Sequence, residues 1–241
     1  MRRIATSFPN QARRPVSTSS TRPLVVAIDG PAASGKGTLA RRVAQALGFA
    51  LLDTGGLYRA VALSLIRRGG DLRDTAAAAA TARSLTHGDI ENLMADPALR
   101  LDSTAQGASI VSAVPDVRAA LLDFQRGFAA HPPGGAKGAV LDGRDIGTVI
   151  CPAADAKLFV TASPEVRAQR RLNELLGRGD AAIYADVLKD MKDRDARDSQ
   201  RAVSPLVPAA DAYLLDTSSL DAAQAFDAAM TFIRSRPAFG G

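Results

Sequence analysis

Five short apolar runs, each closing on a polar residue, alternate along this chain with stretches of helical period. Residues 24–28 close on Asp29, 49–52 on Asp53, 139–141 on Asp142, 157–160 on Thr161 and 213–215 on Asp216. Apart from Lys157, the runs are continuously apolar rather than alternating, as in strands buried on both faces. Helical period recurs over residues 39–47, 57–66 and the alanine-rich 76–82. It returns from Pro115, where Val117, Leu121, Leu122 and Phe124 form an apolar face. Residues 87–103 show no clear period and contain Pro97, and 131–135 is a loop by composition. Strands alternating with helices predict an α/β fold of three layers, a central parallel sheet flanked by helices. Ligands of such sheets lie beyond the C-terminal strand ends.

The first strand runs into Gly30, Pro31, Ala32, Ala33, Ser34, Gly35, Lys36, Gly37 and Thr38, and a helix follows. Strand, glycine-bounded loop, lysine and helix make a cradle for the phosphates of a nucleoside triphosphate. Backbone N–H groups turn inward, the helix N-terminus adds partial positive charge, and Lys36 reaches the outer phosphates. Gly37 stands where most such loops carry the hydroxyl that holds Mg²⁺, and the hydroxyl comes one residue later, at Thr38. The metal then relies more on phosphate oxygens, water and carboxylates. The Gly-Lys-Gly-Thr form is typical of nucleoside monophosphate kinases.

Composition narrows the field. The chain has 241 residues, enough for one domain with a sizeable core, and no run of about 20 apolar residues that would span a membrane. Its one cysteine, Cys151, excludes an internal disulfide framework and is read as a packed residue. The formal net charge is +5, but five of the 30 basic residues are arginines before Asp29, leaving 25 against 25 acidic residues. The body is thus formally neutral, and no nucleic-acid partner is expected. Residues 1–22 are rich in Arg, Ser and Thr, and are expected to be a disordered tail. Being free of acids, they also have something of an organellar transit peptide. Residues 23–241 are expected to form a single domain.

Two further constellations carry charge. Asp142-Gly143-Arg144-Asp145-Ile146-Gly147 sets carboxylate, guanidinium and carboxylate at a strand end. Arg194, Arg197 and Arg201 fall at i, i+3 and i+7, which predicts three guanidinia on one helix face. Asp190–Arg194 and Asp193–Arg197 are i,i+4 pairs, so a solvated salt-bridge helix accounts for part of the pattern. Arg167, Arg170 and Arg171 lie on the preceding helix. Two such helices joined near Gly177-Arg178-Gly179 would make a mobile, phosphate-clamping cover.

In order, the loop 30–38, Leu52-Asp53-Thr54-Gly55-Gly56-Leu57-Tyr58-Arg59, Asp142-Gly143-Arg144-Asp145, Arg194-Asp195-Ala196-Arg197-Asp198 and Arg201-Ala202-Val203-Ser204-Pro205-Leu206 closely resemble the bacterial cytidylate kinase family, over about residues 24–235. The resemblance implies a P-loop kinase fold with a monophosphate-binding segment (about 54–135) and a lid (about 163–201). It implies transfer of a phosphoryl group from ATP to CMP or dCMP with Mg²⁺, in pyrimidine nucleotide metabolism, by a cytoplasmic monomer. Gly56 departs from the Ala frequent in the family. The stretch between Ala82 and Arg118 is too short for the small β-sheet that some members insert.

By the same resemblance Arg59, Arg144 and Arg201 hold the CMP phosphate, and Arg194 and Asp198 address the sugar. Asp145 and Arg118 read the base with help from Ser109, and Thr54, Tyr58 and Asp142 join the CMP site. Arg167, Arg170 and Arg197 act on ATP and the transferring group. Lys36, Arg144, Arg197 and Arg201 form the catalytic set, while Thr38 and Asp142 face the metal through water. Two rivals share the loop: a kinase for another small acceptor, and a non-catalytic ATP-binding switch.

Overall fold

The computed structural model describes residues 22–240. The expected tail lies outside these residues except for Arg22, whose guanidinium donates to both carboxylate oxygens of Asp155 at 2.9 and 2.6 Å. The strands are β1 (Leu24–Asp29), β2 (Ala50–Asp53), β3 (Gly138–Gly143), β4 (Ala156–Thr161) and β5 (Tyr213–Asp216). They form one parallel sheet in the order β2-β3-β1-β4-β5. In β1, Val25 and Ala27 enter one apolar cluster and Val26 and Ile28 the other, so both faces are covered. That explains the absence of alternation in the apolar runs.

Helix α1 (Lys36–Leu47) and the late helix Ala222–Ser235 cover one face, with Val43, Met230 and Ile233 fully inside. The other face is covered from helices α2 (Thr54–Arg67), α3 (Thr75–Ser84), α4 (His87–Ala95), α5 (Asp102–Val111) and α6 (Pro115–Ala130). Helices α7 (Pro164–Gly177) and α8 (Tyr184–Ser199) pack on each other through Ala168, Leu175, Val187 and Met191. Ala32 and Ala33 of the phosphate loop join that cluster, which fastens the pair to the loop.

The segment without clear period contains α4, a 3-10 turn over Pro97–Arg100 and the start of α5. The helices are short, so neither shows enough turns to establish a period. A start signal was nonetheless present: Thr86 and Asp89 form a reciprocal capping box. Among the described residues no strand lies between α3 and α6, so that segment is helical where some kinases insert a sheet. Gly56 is buried in α2, where an added Cβ would come 2.9 Å from the Met94 methyl. Met94 is flexible and can yield, so an alanine there needs only a small shift.

Candidate active site

Three cavities meet the phosphate loop at the C-terminal edge of the sheet. Gly30 has φ 150°, and a Cβ on it would lie 2.0 Å from the Val160 carbonyl oxygen. Only glycine lets β4 pass so close. Ala33 is left-handed at φ 57°, a conformation a non-glycine residue holds only under constraint. Gly35, at φ 90°, precedes α1 and offers no side-chain cap. Helices α2, α3 and α4 are capped by Asp53, Asp74 and Thr86. The first N–H groups of α1, like those of α5, α6 and α8, thus have no side-chain cap, and those of α1 face the loop, as an anion-binding helix end requires.

Lys36 and Gly37 open into a cavity of about 170 Å³ lined also by Thr54, Tyr58, Arg59, Arg118, Asp142, Arg144, Asp145, Arg194, Asp198 and Arg201. Burial lowers the Lys36 pKa to about 8, assisted by Arg144 and opposed by Asp142 and Asp53. Its Nζ lies 3.6 Å from Asp142 Oδ1, an ion pair longer than a hydrogen bond. Burial raises the Asp142 pKa against the pull of Lys36. Asp142 Oδ1 has no hydrogen-bond partner, although the group is buried.

The wall is built from distant elements. Arg144 Nε donates to Asp198 Oδ2 at 3.1 Å, joining the end of β3 to α8. Asp198 titrates below its usual range: Arg144, Arg194 and Arg201 outweigh its burial. Arg194 is pushed down to about 10 by burial and by Arg144. Arg118, on α6, and Asp145, after β3, form a hydrogen-bonded ion pair with both side chains at least nine-tenths buried. Arg118 also donates to the Ser112 carbonyl at 3.2 Å and lies over the Tyr58 ring. The Tyr58 hydroxyl, Arg118 Nε, Arg194 Nε and Arg201 Nη2 are buried without partners. Such a concentration of unpaired donors in one cavity marks a place for a polar ligand.

Not every expected residue lies there. Arg197 is exposed and lines a second cavity, of about 320 Å³, between α5 and the α7–α8 pair. Ser109 lines the second cavity too, with its buried hydroxyl unpartnered. The second cavity shares Arg59 and Arg194 with the first. The expected three-arginine helix face is corrected here, because α8 ends at Ser199 and Arg201 follows in the loop. The two i,i+4 pairs do not account for the pattern either. Asp193 pairs with Lys189 at 3.0 Å, and Arg197 Nε donates only to the Asp193 carbonyl.

Arg167 is held by protein groups. It is 3% exposed and makes four hydrogen bonds, to the carbonyls of Ala162 and Ala32 and to both oxygens of Asp195. Its guanidinium is a joint between loop, α7 and α8. Arg170 instead borders a third cavity, of about 280 Å³, with Ser34, Gly35 and Thr38. It donates to the Thr217 carbonyl at 2.7 Å and to the Thr217 hydroxyl at 3.0 Å. Thr38 borders the third cavity and Asp142 the first.

Several contributors escaped the sequence reading. Ser112 and Thr217 sit in ordinary helix-end and strand-end sequence, which carries no signal for their partners. Asp29 is 5% exposed and accepts the N–H groups of Ile146 and Gly147 at 2.8 Å each. Burial raises its pKa to about 7, and the two N–H donors pull the other way.

Residues 26–235 match the model of the family described as "Cytidylate kinase". A cytidylate kinase of Paramagnetospirillum magneticum is 62% identical over 212 residues, which cover 88% of this chain and 98% of that protein. The cytidylate kinase of Rhodospirillum rubrum is 58% identical over 87% of this chain and 97% of its own length. An uncharacterized protein from Eubacterium ventriosum, solved by crystallography, superposes with a TM-score of 0.50 at 15% identity, covering 88% of this chain and 99% of that one. The last likeness concerns the fold alone.

Proposed function

This chain belongs to the cytidylate kinase family, and from that membership we propose how its residues divide the work of moving a phosphoryl group from ATP to CMP or dCMP. The reaction converts ATP and CMP, or dCMP, into ADP and the pyrimidine diphosphate. One observation carries the assignment of roles: a single cavity gathers Lys36, four guanidinia and the buried Arg118–Asp145 pair.

The phosphates of ATP lie along the loop and the uncapped start of α1, with Lys36 on the outer phosphates. The nucleoside of ATP extends toward Arg170, Thr38 and Thr217. CMP enters the first cavity with its phosphate among Arg59, Arg144 and Arg201 and its sugar near Arg194 and Asp198. Asp145 accepts from the exocyclic amine of cytosine, and Arg118 donates to the acceptor edge of the base. Thr54 and Tyr58 shape the floor. The Tyr58 hydroxyl and Arg201 Nη2, both unpaired in the free protein, gain a partner in the bound nucleotide.

The attacking atom is a phosphate oxygen of CMP, already anionic, so no strong general base is needed. As the bond from phosphorus to the acceptor oxygen forms, the bond to the bridging oxygen of ADP breaks, and the electron pair leaves with ADP. The protein supplies alignment and positive charge around two anions that repel each other. Mg²⁺, when bound, neutralises phosphate oxygens. Asp142 fits it, through water, because its Oδ1 is buried without a hydrogen-bond partner. Thr38 then serves the donor phosphates rather than the metal.

An ADP-release assay with CMP, dCMP, UMP and AMP tests the reading. Turnover of CMP and dCMP with at least tenfold lower kcat/KM for UMP and AMP is expected, as one unmade buried hydrogen bond costs about 1–3 kcal/mol. Equal use of AMP would overturn the base assignment.

A further inference from the structure

Asp145 lies immediately before a single π-helical turn, Ile146–Ile150, whose bonds from Val149 and Ile150 run back to the Asp145 carbonyl at 2.9 and 3.1 Å. An aspartate in that position ordinarily turns its carboxylate onto the first free N–H groups of the turn. Asp145 makes no such bond, because its carboxylate is on Arg118. Ile146 and Gly147 are buried, so their N–H groups need a partner from elsewhere. Asp29 provides it from the end of β1, one carboxylate oxygen to each N–H at 2.8 Å. Asp29 does not line the cavity that holds Asp145.

We propose that Asp29 is a positioning residue for base selection: it caps the Ile146–Ile150 turn across the sheet and so frees the Asp145 carboxylate to stay on Arg118 and face the base. The proposal rests on the reading that Asp145 selects cytosine. Two demands compete for one carboxylate, the turn's own N–H groups and the Arg118–base site, and Asp29 removes the first. Gly147 belongs to the same device. A Cβ there would press on the Lys157 stem, 3.2 Å from its Cδ, with Asp29 Oδ2 in ordinary contact at 3.4 Å, so any shift of the Gly147 backbone is felt at the clamp.

The test measures kcat/KM for CMP and for UMP at saturating ATP on the full chain and four variants: Asp29→Asn, Gly147→Ala, Asp145→Asn and Asp29→Asn combined with Asp145→Asn. Asp29→Asn keeps the shape but retains only one acceptor oxygen. It should lower the CMP-to-UMP ratio by about fivefold or more, mainly through the KM for CMP, with the KM for ATP within about twofold of wild type. Gly147→Ala should move the ratio in the same direction by about twofold, and it carries the test alone if Asp29→Asn does not fold. The double variant should show no further loss of ratio beyond Asp145→Asn, since Asp29 acts through that carboxylate. A uniform fall for CMP and UMP with the ratio intact would reduce Asp29 to a structural cap and overturn the proposal. If Asp145→Asn changes the ratio while Asp29→Asn and Gly147→Ala do not, the positioning role alone is wrong. If Asp145→Asn itself leaves the ratio unchanged, the base reading fails and the proposal fails with it.

Discussion

Arg118 on Asp145 and Arg171 on Asp102 are both direct guanidinium–carboxylate pairs that join distant parts of the chain. The first has side chains 7% and 5% exposed, and the second 18% and 46%. Water screens the second pair and replaces either partner at little cost. The first is shut in, so removing one partner leaves a buried charge with nothing to answer it. Pairing alone therefore says little about importance. In this molecule the ion pairs bordering the Lys36 cavity are shut in, and those along α7 and α8, Arg167–Asp195 apart, are wet.

The contrast breaks first at Lys36. Lys36→Ala should reduce turnover by about 10²-fold or more while the fold persists, since it removes a charge from the phosphoryl transition state. Steady-state kinetics with a parallel thermal melt checks it, and near-normal turnover would mean that the loop does not hold ATP. The same lysine sets a pH limb. Its folded pKa, about 8, lies below the ordinary 10.5, so the free enzyme loses the charge as pH rises through 8. kcat/KM for ATP should fall above that point, while kcat, measured with phosphates on the lysine, stays level to higher pH. The stability sign is opposite: the cost of burying the cation is fully present below pH 8 and is relieved between pH 8 and 10.5.

Next in size are the arginines on the acceptor. Arg201→Ala should raise the KM for CMP by about tenfold or more and lower kcat, because charge-assisted bonds to phosphate are worth about 1.5–3 kcal/mol. Asp145→Asn should lose CMP activity and narrow the CMP-to-UMP ratio by about tenfold, as an amide can donate to uracil where a carboxylate cannot. An unchanged ratio would return Asp145 to a loop-shaping role. The smallest effects belong to the wet pairs. Asp102→Asn should change kcat and KM by no more than about threefold. Arg178→Ala, which loses Glu174 and the Arg100 carbonyl, should stay within about twofold. A loss at Arg178 as large as at Arg201 would erase the distinction between buried and wet pairs.

Position in sequence foretold these differences unevenly. Arg194, Arg197 and Arg201 fall at helical spacing, yet the helix stops at Ser199 and the three separate into two environments. Arg167 and Arg170 sit three residues apart on α7. One is consumed by Asp195 and two carbonyls, and the other borders the cavity beside Thr38. Nothing in the local sequence separates them, because their partners lie in the loop, α8 and the segment after β5.

The alternation of apolar runs and helices, the glycines of the phosphate loop and Lys36 at the start of α1 were determined by the sequence itself. Most of these depend on neighbours within a few residues, a period, a positive φ or a helix end left uncapped, although Gly30 also answers to the passage of β4. The Asp29 clamp on Ile146 and Gly147, the bond from Arg144 to Asp198 and the burial of Arg118 against Asp145 were decided only by the tertiary structure. Those pairs span 117, 118, 54 and 27 residues. They exist because the strand order puts β1 beside β3 and brings the end of β3 under α6 and α8, where desolvation turns ordinary aspartates and arginines into selective ones.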